Sequence, residues 1–206
     1  LNADLRLGET RLSLRELKQL IEDSQADLRV ALIDSCRSGS MTRLKGAVVG
    51  PAVQVKVDTS PAQTGQVIIT ASSATEDAQE SDDIQGSFFT YYLTSGLRGA
   101  ADENGDGKVT LSEAYSHAYA QTVSRTLGSR GGTQHPSYRF DIHGADDIPL
   151  TRLAVTRGSI VFSEGLEGTF AVFDQQRQVI VAELHKNSDE SSIIGVTPGD
   201  YVVKKR

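Results

Sequence analysis

The stretch LRVALIDSCRSG, residues 28–39, joins an apolar run to a turn-forming segment that holds the only cysteine of the chain. The run from Val30 to Ile33 predicts a β-strand covered on both faces, since buried parallel strands are continuous apolar runs. Cys36 follows the end of this strand, and sites in open parallel sheets lie outside the carboxyl ends of the strands. Position alone leaves two interpretations open, a nucleophilic thiol and a structural cysteine.

Two other thiol chemistries fit the sequence poorly. A phosphatase loop needs arginine six residues after the cysteine, and that residue is Thr42. A redox sensor lacks a second cysteine that would resolve an oxidised Cys36. A single cysteine also excludes an internal disulfide and permits a reducing compartment.

The segments around this strand alternate between helix and strand patterns. Ser13 and Glu16 form the S-x-x-E pattern of a capping box, which predicts a helix from residue 14 onward. Val67 to Thr70 repeats the apolar strand pattern. Two more helices and a last core strand are expected at residues 87–99, 111–128 and 137–144. Strands and helices joined by short links predict an α/β fold with a mostly parallel sheet flanked by helices.

The pattern changes near Leu153. Five short β patterns follow with no helix between them, and they begin at residues 159, 168, 178, 191 and 200. This spacing predicts a small antiparallel β-sandwich. We therefore expect two domains, residues 1–153 and residues 156–206.

The composition is that of a globular protein of 206 residues, with 38% hydrophobic residues and a formal net charge of −6. This acidic balance argues against nucleic acid as a partner, because phosphate binding needs a basic face. No stretch approaches the ~18 consecutive apolar residues of a membrane helix, and no signal-peptide pattern opens the chain. These observations predict a cytoplasmic protein without a membrane or nucleic-acid partner, and they leave its oligomeric state open.

Several blocks of the sequence, in order, resemble the caspase-like cysteine peptidases of the bacterial type. The Asp-Ser pair before the thiol is closest to the metacaspase form. The blocks lie within residues 1–153 and are IDSCRSG, VIITASSATEDAQES, GSFFTYYLTSGLRGAADENGDGKVTLSEAYSHA and QHPSYRFDIHGADDIPLTRL. The resemblance implies a caspase-like fold, Cys36 as the nucleophile of a Cys-His dyad, and protein or peptide substrates.

The sequence departs from the family pattern at the catalytic base. The family's histidine precedes the thiol by roughly 50 residues in the caspase pattern, but only 35 residues precede Cys36 and none is histidine. Surface, packing or strand positions are expected for the four histidines that follow the thiol, His117, His135, His143 and His185. We expect that the chain begins inside the peptidase domain and is inactive without the upstream histidine.

Three further residues are candidates for substrate binding through the resemblance. In metacaspase-like enzymes the acid two residues before the thiol, here Asp34, helps to bind a basic P1 side chain, since a carboxylate and a guanidinium pair through two hydrogen bonds. Ser73 and Asp77, in the loop after the next strand, would complete that pocket, which implies cleavage after Arg or Lys. The alternatives are a strand-end hydrogen-bonding role for Asp34 and a simply solvated acidic loop.

The segment DENGDGKVTLSE, residues 102–113, matches the D-x-[DN]-x-[DN]-G-x5-E calcium loop at every position. Gly107 allows the sharp turn, and helical patterns flank the segment. An Asx-rich loop that caps a helix is the alternative. The match predicts a Ca²⁺ site whose ligands are Asp102, Asn104, Asp106, Lys108 through its carbonyl, Thr110 and Glu113.

The C-terminal β patterns are similar to the transthyretin-like sandwich modules appended to bacterial enzymes, for which binding or spacing are the expected roles. The complete hypothesis is a caspase-like cysteine endopeptidase with a calcium loop and an accessory β-domain. The alternative is a non-catalytic caspase-fold module that responds to calcium and binds a partner protein.

Overall fold

The computed structural model describes residues 4–7, 10–34, 48–49, 64–73, 75–82, 84, 86–143, 147–153 and 157–206. The chain forms two compact units. The first unit takes residues from 1–50, 56–78 and 134–146, and the second takes residues from 51–55, 79–133 and 147–206.

Three α-helices, one π-helical segment and fifteen strands make up the secondary structure of the described residues. In chain order they are β1 Asp4–Leu7, β2 Thr10–Ser13, α1 Leu14–Glu22, β3 Leu28–Ile33, β4 Val48–Val49, β5 Thr64–Thr70, β6 Glu80–Ser81, β7 Gly86–Ser87, α2 Phe88–Ser95, the π-helical segment Gly96–Ala100, β8 Lys108–Thr110, α3 Leu111–Thr126, β9 Ser137–His143, β10 Pro149–Arg152, β11 Gly158–Phe162, β12 Gly168–Asp174, β13 Val179–Lys186, β14 Ser192–Val196 and β15 Tyr201–Lys205.

The first unit contains a four-stranded sheet in the order β3-β5-β9-β4. Strands β3 and β5 are parallel, with Ile33 opposite Thr70. Strand β9 is antiparallel to β5, with Ser137 opposite Thr70, and β4 is antiparallel to β9. Among the described strands, parallel pairing is thus confined to β3 and β5, because β9 enters the sheet at the end where β5 leaves it.

Helix α1 begins at the residue that the sequence predicts. The Ser13 hydroxyl accepts a hydrogen bond from the Glu16 amide at 3.1 Å, and the Glu16 carboxylate accepts one from the Ser13 amide at 2.9 Å. These reciprocal bonds complete the capping box. Leu17 of α1 packs with Ile33 and Ile68, so the helix covers one face of β3 and β5.

Strand β3 differs from its prediction on the other face. Val30 is 40% exposed and Leu32 is 49% exposed, whereas Ile33 is buried. Alternate residues of a strand face opposite sides of the sheet, and α1 covers only the side of Ile33. The expectation of a strand covered on both faces is therefore wrong in the described structure, since an apolar run does not by itself show what covers each face.

The second unit contains the two longer helical segments predicted from the sequence. Helix α3 begins with a capping box between Thr110 and Glu113, and it ends just before Gly128, whose φ is +78°. Tyr92 of α2 is fully buried, and its hydroxyl accepts a hydrogen bond from Arg125 Nε at 2.8 Å. This bond ties the two helices together at the end of α3.

The five C-terminal strands of the second unit form two antiparallel sheets, β13-β12-β15 and β11-β14. Side chains of both sheets share one apolar core, as expected for a sandwich. This core consists of Phe162, Phe170, Val172, Val181, Ala182, Leu184 and Ile194. The predicted β-rich region is confirmed, and its five strands follow the five patterns in the sequence.

Helix α2 is tied to strand β13 within the second unit. The Ser95 hydroxyl donates to the Glu183 carbonyl at 2.9 Å and accepts from the Glu183 amide at 2.8 Å. The helices and the sandwich strands therefore share a packing unit, a grouping that differs from the predicted division near residue 153. The boundaries of the two domains stay a prediction.

The predicted fold class, an α/β region followed by a β-rich region, is confirmed. The described sheet is mixed and not mostly parallel as predicted, because β9 is antiparallel to β5 and to β4. Within the described residues, none of the helices combines the length and the apolar character needed to cross a membrane.

Candidate functional site

The residues predicted to bind substrate lie where β3 and β5 end in the first unit. Asp34 follows β3 directly, and the Ala71 amide donates to the Ile33 carbonyl at 3.0 Å, which continues the pairing past β5. Ser73 comes two residues later. Because β9 is antiparallel to β5, the residues just before its start lie at this same edge. The edge therefore collects side chains from three separate parts of the chain.

A carboxylate–imidazole pair links the loop after β5 to the segment before β9. Glu76 Oε2 accepts a hydrogen bond from the His135 amide at 2.8 Å, and Glu76 Oε1 lies 2.8 Å from His135 Nδ1. Burial acts to raise the pKa of Glu76, but hydrogen bonds from the His135 amide, the His135 ring and Ser73 outweigh it and hold that pKa below its usual value. Glu76 is therefore ionised near neutral pH and holds His135 at two points.

Buried polar contacts align these segments. Gln134 is fully buried, and its side-chain amide donates to the Ala71 carbonyl at 2.7 Å. The Thr70 and Ser137 hydroxyl groups are 2.7 Å apart, and both residues are buried. Buried polar groups that satisfy one another favour a single arrangement, because any other leaves them unpaired.

The structure describes three of the four residues predicted for catalysis and substrate binding. Asp34 and Asp77 are exposed at the edge, and Ser73 is half-buried with its side chain hydrogen-bonded to Glu76. Cys36, the predicted nucleophile, lies outside the described residues. The roles of these four residues therefore stay predictions.

No sequence motif marks Glu76, Gln134 and His135 as neighbours at this edge. Glu76 and His135 are 59 positions apart in the chain, and the Gln134–Ala71 pair spans 63 positions. Their contacts depend on β9 entering the sheet antiparallel to β5. A sequence pattern does not show how β9 is aligned with β5.

The acidic loop, residues 102–113, lies in the second unit and has the turns of the calcium-loop pattern. Gly107 has a φ of +76°, in the left-handed region that glycine adopts without a steric penalty. Asn104 Oδ1 accepts from the Asp106 amide at 2.8 Å, and Asp102 Oδ2 accepts from the Gly107 amide at 3.1 Å. These bonds curl the acidic loop in front of α3.

The acidic side chains of this loop have different partners. Glu113 Oε2 accepts from the Thr110 amide and hydroxyl, each at 2.9 Å, and so belongs to the cap of α3. Asp102 Oδ1 is buried and has no hydrogen-bond partner among the described residues. Burial, together with repulsion from Asp106 and Glu113, raises the pKa of Asp102. A cation beside Asp102 would satisfy the unpaired oxygen and relieve this repulsion.

The carboxylates are not gathered into a cluster, however. In the parts of the chain that the structure describes, no three Asp, Glu, His or Cys side chains are grouped closely enough to hold a metal ion. The acidic loop thus has the turns and the donor atoms of a calcium site, with Glu113 turned to the helix cap. The predicted Ca²⁺ site stays a prediction.

The four histidines occupy different surroundings. His143 pairs with Thr64, at the opposite end of β5 from Ser73, and its side chain is exposed. His185 is exposed, with Nδ1 3.1 Å from the Thr169 hydroxyl. His117 of α3 is 9% exposed, and burial lowers its pKa to about 4. In the part of the chain that the structure describes, its Nε2 has no hydrogen-bond partner.

The buried His117 should make stability depend on pH. Its pKa falls from an ordinary 6.5 to about 4 on folding, so between these values the unfolded chain binds a proton that the folded chain rejects. The free energy of unfolding should therefore fall by about 3 kcal/mol as the pH drops from about 6.5 to about 4. Urea unfolding at several pH values measures this slope.

The variant His117→Asn should flatten the slope, whatever its absolute stability. His143→Asn, in which an exposed histidine is replaced, should keep the wild-type slope. An unchanged slope in His117→Asn would show that other groups carry the acid sensitivity.

One protein family matches the part of the chain that contains both the edge and the acidic loop. The family model of the caspase domain matches residues 8–143, which is more than half of the chain. The chain belongs to the caspase-domain peptidase family. No curated protein and no solved structure matches this caspase-domain chain.

Membership gives this caspase-domain protein a general function, that of a cysteine-type peptidase with protein or peptide substrates. The matched range contains β3, Cys36, the edge residues and the acidic loop, whereas the sandwich strands begin beyond it at Gly158. The predicted family and the predicted general activity are confirmed.

Proposed function

We propose that this caspase-domain protein is an endopeptidase whose nucleophile is Cys36 in a Cys-His dyad. One observation carries the proposal: the caspase-domain match spans β3, and Cys36 follows the last residue of β3 by three positions. Catalytic groups of parallel sheets follow the carboxyl ends of strands. The chain contains no other thiol that would serve.

The proposed reaction is acyl transfer through the thiol. A histidine takes the proton of Cys36, and the thiolate attacks the carbonyl carbon of the scissile bond. Backbone N–H groups, that of Cys36 included, stabilise the oxyanion. The amine leaves with the proton from the histidine, and water then hydrolyses the thioester to release the acid and the free thiol.

We assign the P1 pocket to the edge where β3 and β5 end. Asp34 and Asp77 supply exposed carboxylates there, and a carboxylate binds a guanidinium through two parallel hydrogen bonds. Ser73 is bonded to Glu76, which itself holds His135. This anchored segment positions the loop that carries Asp77, so the pocket favours Arg or Lys at P1.

Peptide reporters that differ only at P1 test the preference. The full-length protein should cleave reporters with Arg or Lys at P1 at least about a hundredfold faster, as kcat/KM, than a reporter with Asp, because an acidic side chain would meet two carboxylates. Asp77→Asn should lower the Arg-to-Asp ratio. Glu80→Gln, an equal charge change at an exposed position nearby in the sequence, should leave it unchanged, and a preference for Asp would refute the assignment.

The second part of the proposal is that the acidic loop binds Ca²⁺. The oxygen ligands would come from Asp102, Asn104, Asp106, Thr110 and Glu113, together with the Lys108 carbonyl. The support is the raised pKa of Asp102 and its buried Oδ1, which no described residue pairs with. Bound calcium would neutralise the repulsion among the loop carboxylates and clip the loop to α3.

Calcium should therefore raise the melting temperature. At a calcium concentration about 100 times its Kd, binding adds about 2.7 kcal/mol, which corresponds to a shift of about 5 °C or more for a chain of this size. Asp102→Asn should lose most of the shift. Glu103→Gln is the matched control, since residue 103 carries the same charge at a non-ligand position of the loop. If neither titration heat nor a thermal shift is seen with calcium, the site is withdrawn.

A further inference from the structure

A small cavity in the second unit is bordered by three arginines. Its volume is about 230 Å³, and Arg98, Arg157 and Arg177 line it together with Thr197 and Tyr201. The cavity lies among the π-helical segment, the sandwich strands and their turns. Of its lining residues, Arg98 lies within the range that the caspase-domain model matches, and the others follow that range. It is smaller than the 300–1,000 Å³ typical of pockets for drug-sized ligands, so it suits a small group.

The three guanidinium groups are held in different ways. Arg98 is half-buried and donates to the Val181 carbonyl of β13. Arg177 lies 3.6 Å from the buried carboxylate of Asp174. Arg157 is exposed, and no described side chain forms a hydrogen bond or ion pair with it. One arginine is thus anchored by the backbone, one is paired with a carboxylate, and one has no partner among the described residues.

The charges around the cavity do not balance. The lining arginines contribute three positive charges, no described lining residue is acidic, and Asp174 beside Arg177 contributes one negative charge, which leaves an excess of two among these residues. Burial lowers the pKa of Arg98, and the neighbouring positive charge of Arg177 lowers it further. Tyr201 acts in the opposite direction and raises that pKa. A dianion in the cavity would cancel the excess and relieve the repulsion between Arg98 and Arg177.

The hydroxyl groups of the wall are oriented by the protein. The Tyr201 hydroxyl donates to the Thr197 carbonyl at 2.8 Å and lies 3.1 Å from the Thr197 hydroxyl. The close approach of the π-helical segment to β14 fixes the backbone beside Arg98, because the Cβ position of Gly99 lies 2.0 Å from the Ile193 carbonyl oxygen. The anchored arginine and the hydroxyl pair therefore line the cavity together with the exposed guanidinium groups of Arg157 and Arg177.

We propose that this arginine pocket binds a small oxyanion of the size and charge of a phosphate group. Guanidinium groups recognise phosphate through pairs of parallel charge-assisted hydrogen bonds. A dianion matches the excess of two positive charges better than a single carboxylate does. The site would give the second unit an anion-binding function that differs from the proposed peptide hydrolysis.

Calorimetric titration of the full chain at low ionic strength tests the pocket, with inorganic phosphate and O-phospho-L-serine as separate probes. Arg157→Gln and Arg177→Gln should each weaken binding by about tenfold, the loss of one charge-assisted contact. Arg130→Gln, an equal charge change at an exposed residue outside the pocket, should leave affinity within about twofold. Unchanged melting temperatures would show that the variants fold.

The two probes identify the source of the oxyanion. Tighter binding of phosphoserine points to a phosphate ester, and tighter binding of inorganic phosphate points to the free ion; either result with the expected variant pattern supports the site. Absence of binding by both probes at about 20 mM, or an equal loss in Arg130→Gln, overturns it. Neither measurement depends on peptidase activity, so failure of this site and failure of the proposed enzyme are distinguishable.

Discussion

Replacing Cys36 with serine should lower peptide hydrolysis by the full-length protein at least about a thousandfold. The thiolate is the attacking group in the proposed reaction, and a serine hydroxyl has a far higher pKa, so a base tuned for a thiol does not ionise it. The measurement is kcat/KM with a fluorogenic peptide that carries Arg at P1. Residual activity above about one-tenth of wild type would refute the assignment of Cys36.

The single cysteine makes a direct control available. Iodoacetamide can modify only one thiol in this chain, so loss of activity should follow labelling in a one-to-one ratio. Labelling should be fast near neutral pH if the thiol is activated and slow if its pKa is ordinary. Ser24→Ala, at an exposed position between α1 and β3, should retain wild-type activity and labelling. Slow labelling together with inactivity would favour the non-catalytic module.

The second large effect is expected at Gly99, where Gly99→Ala should destabilise the protein by about 3 kcal/mol or more. Gly99 has a φ of +125°, and a Cβ there would lie 2.0 Å from the Ile193 carbonyl oxygen and 3.2 Å from Leu153 Cδ1. The Ile193 carbonyl belongs to the backbone of β14, so it cannot move away without separating the π-helical segment from that strand. The melting temperature should fall by about 6 °C or more.

Gly128→Ala provides the matched control for this collision. Gly128 also has a positive φ, +78°, but nothing lies within 4 Å of its Cβ position. The cost there should be limited to the left-handed conformation, about 1 kcal/mol. Equal destabilisation by the two variants would show that backbone conformation alone, and not the contact with Ile193, makes Gly99 necessary. Chemical denaturation of both variants separates the two contributions.

Local signals predicted the secondary structure well where neighbouring residues supply the physical cause. Ser13 and Glu16 are three residues apart, and their reciprocal hydrogen bonds form within one helical turn, so the start of α1 was visible in the sequence. Thr110 and Glu113 form an equally local cap at the start of α3, although the calcium-loop pattern predicted both residues as metal ligands. The sandwich strands were predictable because apolar residues and turn residues alternate at short intervals.

Signals along the chain failed where the cause lies in a distant segment. The apolar run of β3 predicted cover on both faces, yet α1 packs only on the side of Ile33 and leaves Leu32 exposed. The pairing of Glu76 with His135 has no local signature either, since it needs β9 to return beside β5. A sequence motif records residue types, whereas the cover of a face depends on which element packs there.

Residue types and short spacings were enough to indicate the family, the position of the only thiol after an apolar strand, and the alternation of donor atoms in the acidic loop. Each of these depends on covalent order and short spacing. The Glu76–His135 pair and the convergence of three arginines on one cavity depend instead on the folded chain. Each of these contacts joins residues that are far apart in the chain. The register of β9 brings His135 to Glu76, and the packing of the π-helical segment with the sandwich strands brings the arginines together. Such side chains meet only after the segments that carry them have packed.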